Sequence, residues 1–198
     1  MTTDSSRAHA RWRTADIVVC AVIGVAFGVV FWAWNLLWAA AGPAFTGFPP
    51  LQAFMYGTWL LPAVVAPLII RRPGAAVFAE TVAATVSALL GAQWGLLTIV
   101  YGLMQGGAAE LVFAFTLYRA WNLPVALGAA AAAGVAAWLL DVAIFYEAWA
   151  VEWQLVYGAL LVPSAIVIAG LGGWFLVRAI AETGVLSAFP SGRSQRAV

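Results

Sequence analysis

Three carboxylates sit where the sequence offers no water to solvate them. Glu80, Glu110 and Asp141 each lie inside a long apolar run, and Gln105 shares the stretch MQGGAAELVF, residues 104–113, with Glu110. Acids at such positions are costly in hydrocarbon and face a bundle interior or a cavity. Their available chemistry is narrow: hydrogen bonding, or attraction for a cation or an amine. No base within the runs neutralises them. The nine basic residues are all arginine, at 7, 11, 13, 71, 72, 119, 178, 193 and 196, and fall at the edges of the apolar runs or beyond them. Arg119 is nine residues from Glu110, ~13 Å along a helix axis. Three states remain open. The acids are protonated by burial, or satisfied by donors such as Gln105, Thr81 and Ser87, or they meet a positively charged or amino-bearing guest. Three acids without an internal base argue against a purely structural role for all of them.

Helical spacing places these acids inward. Glu110 follows Gly102 and Gly106 at intervals of four, Glu80 aligns with Ala84, Ser87 and Gly91, and Asp141 aligns with Gly134 and Ala137. Faces of small residues are where membrane helices approach closely. Other polar and aromatic residues gather toward one end of the runs: Asn35, Gln52, Tyr56, Trp59, Gln93, Trp94, Tyr101, Gln105, Tyr146 and Tyr157. Aromatic rings with a few placed polar groups suit a small flat ligand, and the same ring faces attract a cation. Glu147 and Glu152 read as solvated loop residues. Tryptophans such as Trp34, Trp38, Trp149 and Trp153 read first as an interfacial belt.

The elements that carry these residues follow from composition. Of 198 residues 65% are hydrophobic and 9% charged, with mean hydropathy +0.97. That leaves too little polar surface for a water-soluble globule, whose charged fraction is about 25%. The chain reads as an all-α integral membrane protein, a six-transmembrane-helix bundle. Its expected spans are 16–40, 51–70, 75–92, 94–118, 123–146 and 154–178. A single membrane domain, 1–198, would then comprise a tail over 1–15, the bundle over 16–178 and a tail over 179–198. The first run, about Ala15 to Ala41, exceeds a signal-peptide core of roughly 7–15 residues, so it reads as an uncleaved span. With six spans and a cytoplasmic N-terminus, all nine arginines fall on the cytoplasmic side, as basic residues prefer. Both termini are therefore expected in the cytoplasm of a bacterial cell, with the bundle in its cytoplasmic membrane.

Several functions lack their residues. Cys20 and His9 are the only cysteine and histidine, which removes most zinc sites and histidine-based acid–base chemistry. No phosphate-binding glycine loop or G-x-S-x-G nucleophile motif occurs. Nothing points to nucleic acid, a cofactor or enzymatic chemistry. Cys20, Gly24 and Gly28 form a small-residue ridge in the first span, suited to packing within the bundle or to docking a partner membrane protein.

YGTW at 56–59, RRPGAAVFAE at 71–80, QGGAAE at 105–110 with Val112-Phe113, Leu123-Pro124 and Asp141 lie in order along the chain. On these stretches the sequence resembles the YkoE-type substrate-binding S components of energy-coupling factor (ECF) transporters, linked to thiamine and its hydroxymethylpyrimidine precursor. The resemblance implies capture of such a vitamin from outside. It also implies transport with a membrane coupling subunit and two cytoplasmic ATPases. Thiamine, with a cationic thiazolium and an aminopyrimidine, would suit an acid-rich interior that lacks a base. On this basis Glu80, Glu110 or both would hold the amine or cation. Gln105 would bond the pyrimidine edge, Tyr56, Trp59, Trp94 or Tyr101 would stack, and Asp141 would complete the site. Cys20, Gly24 and Gly28 would be the docking ridge, although the family's usual residues there are alanines. The alternative is a self-sufficient cation or proton-coupled carrier that uses the acids as an ion relay.

Overall fold

The apolar runs fold as helices. In the computed structural model, which describes residues 12–195, α1 spans Thr14–Ala41 and is followed by a 3-10 turn, Gly42–Phe45. A 3-10 segment, Pro49–Leu60, then leads directly into α2, Leu61–Ile70. Next come α3, Ala75–Leu89; α4, Leu97–Phe115; and α5, Leu123–Ile144. Helix α6, Val151–Ser164, continues through a π-helical stretch, Ala165–Gly172, into α7, Gly173–Glu182. A short α8, Pro190–Gln195, ends the described chain. His9, Arg7, Arg11 and Arg196 lie outside the described residues.

Five stretches are long and apolar enough to cross a membrane: Thr14–Phe45, Pro49–Ile70, Leu97–Phe115, Leu123–Ile144 and Val151–Glu182. The run expected at 75–92 forms a shorter apolar helix of 15 residues, ~22 Å against a hydrocarbon thickness of ~30 Å. Glycines set its limits. Gly74 precedes it with φ 88° and Gly91 follows it with φ 94°, a conformation that costs glycine little. The last run is longer than the expected 154–178. The segment expected as a polar tail folds back instead: Leu186 and Phe189 are buried, and the Ser191 hydroxyl donates to the Ile69 carbonyl at 3.4 Å.

The centre of the bundle is the segment 49–70. Every residue from Pro62 to Ile70 is buried, and α2 touches α1, α3, α4, α5 and α7. A helix that is apolar on all sides, LPAVVAPLII, is suited to such a position. Around it, α1 packs on α3, α3 on α4, α4 on α5, and α5 on α6 and the π-helical stretch.

The ridge on α1 serves this packing. A Cβ on Gly24 would lie 2.7 Å from the Val82 Cβ, and one on Gly28 would lie 2.5 Å from the Val86 Cβ. Cys20 is wholly buried, its Sγ 3.6 Å from the Ala75 carbonyl. The docking role expected for Cys20, Gly24 and Gly28 is therefore corrected: α3 occupies the ridge, because only small side chains let the two backbones come this close.

One end of the bundle gathers charge. Asp16, wholly buried, pairs with Arg13 at 2.7 Å and with Arg72 at 3.0 Å. The Asp16 carboxylate raises the Arg13 pKa by hydrogen bond and charge. Trp12 Nε1 donates to the Pro73 carbonyl at 2.9 Å. Chain direction brings Arg71, Arg119 and Arg178 to this same end.

Candidate functional site

A cavity of about 300 Å³ lies toward the opposite end. Helix α1 contributes Phe31, Asn35 and Trp38, one helical face at spacings of four and three. The 3-10 segment contributes Tyr56 and Trp59, and the loop before α4 contributes Trp94. Helix α3 supplies Glu80, Ala84 and Ser87; α4 supplies Thr98, Tyr101, Gly102 and Gln105. The remaining wall is Asp141 of α5, Phe145 and Tyr146 beyond it, and Tyr157 of α6.

Glu80 is the site's unusual atom group. It is wholly buried, and its Oε2 accepts the Ala63 N–H at 2.9 Å. That donor sits in the first turn of α2, where N–H groups lack helical partners. The other oxygen, Oε1, is buried with no hydrogen-bond partner among the described residues. An unsatisfied buried carboxylate oxygen is expensive, so it marks a place where a ligand donor belongs. Gly102 and Gly106 of α4 make the room: a Cβ on Gly106 would lie 2.9 Å from the Glu80 Cβ.

Two aromatic groups line the walls. Trp59 is in contact with Trp38, Tyr56 and Trp94, with centroids 4.9, 5.2 and 5.5 Å away. Its indole N–H donates to Asn35 Oδ1 at 3.0 Å, while Asn35 Nδ2 donates to Ser87 Oγ at 3.1 Å. Gln105 Nε2 donates to the Tyr56 hydroxyl at 3.1 Å. These bonds fix both rings and leave the Gln105 carbonyl group for other donors. The second group surrounds Asp141, whose carboxylate accepts the Tyr101 hydroxyl at 2.7 Å and the Tyr157 hydroxyl at 2.6 Å. Phe145 stacks on Tyr101, and Tyr146 stands edge-on to Tyr157. Burial first, then the Asp141 charge, raises the Tyr146 phenol above its ordinary pKa.

The 3-10 segment that carries Tyr56 and Trp59 is held from behind. Ser164, the last residue of α6, accepts the Gly57 N–H at 3.1 Å and donates to the Phe54 carbonyl at 2.7 Å. A Cβ on Gly57 would lie 2.5 Å from the Ser164 carbonyl oxygen, so the approach requires glycine. A 3-10 run of twelve residues is unusual, and this anchoring accounts for its course.

Seven of the eight expected ligand residues line the cavity: Tyr56, Trp59, Glu80, Trp94, Tyr101, Gln105 and Asp141. Glu110 does not. Its oxygens accept the Gly74 N–H at 2.6 Å and the Ala76 N–H at 2.9 Å, capping the N-terminus of α3 at the arginine-bearing end. Burial and the Glu110 charge push the nearby Tyr118 phenol up to about 12. Glu110 shares a face with Gly102 and Gly106, as its spacing requires, but lies further down that face, against orphan helix-end donors. Phe31, Ala84, Ser87, Thr98, Gly102 and Phe145 also line the wall without having been singled out as ligand contacts, and Trp38, read from the sequence as an interfacial belt residue, faces the cavity instead. Thr98 was detectable, since it precedes Tyr101 by one turn and Gln105 by two. Its Oγ1 has no partner among the described residues.

A helical bundle in the membrane, closed around a small aromatic cavity with an unsatisfied acid, has the form of a substrate-binding permease component. A family model described as the ABC-type cobalt transport system, permease component, matches residues 15–136. A solved structure described as the crystal structure of an S-component of ECF transporter superposes with a TM-score of 0.87 and 33% identity, over 94% of each chain. The chain is also 35% identical, over 185 residues, to the HMP/thiamine permease protein YkoE of Bacillus subtilis (strain 168), covering 92% of this chain and 91% of that protein. The chain belongs to this permease family as a YkoE-type S component of ECF transporters, and it is a multi-pass membrane protein.

Proposed function

We propose that this protein captures thiamine or its hydroxymethylpyrimidine precursor in the described cavity. In this role it carries out no catalysis. A membrane coupling subunit and two cytoplasmic ATPases supply the energy for uptake. The single observation that carries the proposal is Glu80 Oε1, a buried acceptor without a partner among the described residues, in the wall of an aromatic cavity. The amino group of the pyrimidine donates to it, Gln105 reads the ring edge, and Trp59 with its neighbours stacks on the ring. A volume of about 300 Å³ stands at the lower bound for small-molecule sites, which suits a vitamin rather than a peptide. The family's name refers to cobalt. Among the described residues no three His, Cys, Asp or Glu side chains are grouped to hold a metal ion, and aromatic walls favour an organic ring.

Orientation follows from the two ends. Arginine collects at the end opposite the cavity, and basic residues favour the cytoplasmic side. The termini therefore lie in the cytoplasm, α3 is the third and shortest crossing and brings the total to six, and the cavity lies nearer the outer face. Since α3 fills the ridge on α1, the coupling subunit docks on another surface.

Thermal unfolding of the purified chain with thiamine, hydroxymethylpyrimidine, riboflavin and biotin tests the function. Saturable stabilisation by thiamine or its precursor alone is expected. Stabilisation by riboflavin or biotin, or by none of the four, would overturn it.

A further inference from the structure

We infer that the cavity has two unlike poles, an amine-reading pole at Glu80 and a cation-reading pole at Asp141, so that Asp141 selects a two-ring cation over its single-ring neutral precursor. The inference rests on the vitamin-binding function proposed above and deepens it.

The two acids are presented differently. Glu80 comes from α3 and Asp141 from α5, helices that each pack on α4. Glu80 offers one bare oxygen in a setting of small and amide-bearing residues, Ala84, Gly102 and Gln105. A directional acceptor of that kind recognises an N–H donor. Asp141 has both oxygens engaged. Each of its oxygens already takes a phenolic O–H, and the rings of Tyr101, Phe145, Tyr146 and Tyr157 surround it. What remains is one lone pair on each oxygen and the negative charge, set among ring faces and edges. Such a setting attracts a cation that has no proton to donate, through charge and through the aromatic quadrupole. A thiazolium nitrogen is quaternary and carries no N–H, so a carboxylate whose two oxygens are already held by phenols serves it through charge. An aminopyrimidine alone uses only the Glu80 pole.

Mechanically, the Asp141 pole is rigid. Tyr101 and Tyr157 come from α4 and α6, so the carboxylate joins three helices. The charge is therefore held in place before a ligand arrives, and little ordering is required on binding.

Titration calorimetry on the full chain in detergent, with thiamine and with hydroxymethylpyrimidine, tests the assignment. Asp141→Asn, which keeps an acceptor and a donor for the two phenols, should lower the ratio of thiamine to precursor affinity by about tenfold or more. Glu80→Gln should weaken both ligands and leave that ratio within about threefold, since the change falls at the shared pole. An unchanged ratio in Asp141→Asn, or a changed ratio only in Glu80→Gln, overturns the inference. If Asp141→Asn does not fold, the wild-type chain decides. Thiamine should then bind about tenfold or more tightly than an isostere whose second ring is an uncharged thiophene, and equal affinities overturn the assignment. Absence of binding of either vitamin by the wild-type chain is a different result, which removes the vitamin-binding function itself.

Discussion

Gly28→Ala adds a single methyl group at the contact between α1 and α3, and its cost can be worked from the geometry. The new Cβ would stand 2.5 Å from the Val86 Cβ, 2.7 Å from its Cγ1 and 2.9 Å from the Ala83 carbonyl oxygen. None of these is the far end of a flexible side chain, so the two helices must separate. Overpacking of this kind costs about 1–3 kcal/mol. For a chain of this size each kcal/mol moves the midpoint by about 2–4 °C, which gives a loss of about 2–12 °C. The assay is thermal unfolding in detergent, compared with Gly107→Ala in α4. That glycine has nothing within 4 Å of an added Cβ, and helix propensity favours alanine there. Gly107→Ala should leave the midpoint unchanged or raise it. If Gly28→Ala melts with the wild-type chain, α1 and α3 are not packed through the ridge, and the ridge returns as a candidate docking surface.

Other perturbations separate structural from ligand-facing groups. Glu110→Ala leaves the Gly74 and Ala76 N–H groups without their acceptor, so stability should fall by about 1–3 kcal/mol with little change in ligand affinity for the folded fraction; thermal unfolding and calorimetry read the two separately. Thr98→Val removes a hydroxyl without a partner among the described residues, so the unliganded protein should be unaffected or slightly more stable, while thiamine affinity should fall by about threefold to tenfold. Ser164→Ala strands the Gly57 N–H and the Phe54 carbonyl, which should cost about 1–3 kcal/mol and also weaken binding, because the segment carrying Tyr56 and Trp59 loses its anchor.

Much of the bundle was legible because its signals are coarse: long apolar runs, arginines at run ends and turn glycines. The inward direction of Glu80 and Asp141 also followed, since small residues mark the faces on which helices meet. What periodicity cannot give is the object each inward residue meets. Glu110 and Glu80 both share faces with small residues. One finds the open end of α3 and the other finds a void, and that difference is set by where α3 begins relative to α4. The ridge on α1 shows the same gap, since a row of small residues announces a close neighbour without naming it. The twelve-residue 3-10 segment was hidden for another reason. Its course depends on Ser164, more than a hundred residues away, and no local pattern in PPLQAFMYGTWL records that bond. The folded-back segment after α7 was missed because a few buried apolar residues, Leu186 and Phe189, were outweighed by polar neighbours.

A structure of the chain with thiamine or hydroxymethylpyrimidine bound bears most directly on the role of the cavity. The amino group of the pyrimidine is expected within hydrogen-bond distance, about 2.7–3.2 Å, of Glu80 Oε1, with the ring against Trp59. A ligand seated elsewhere, or one that leaves Glu80 Oε1 without a donor, would contradict the account.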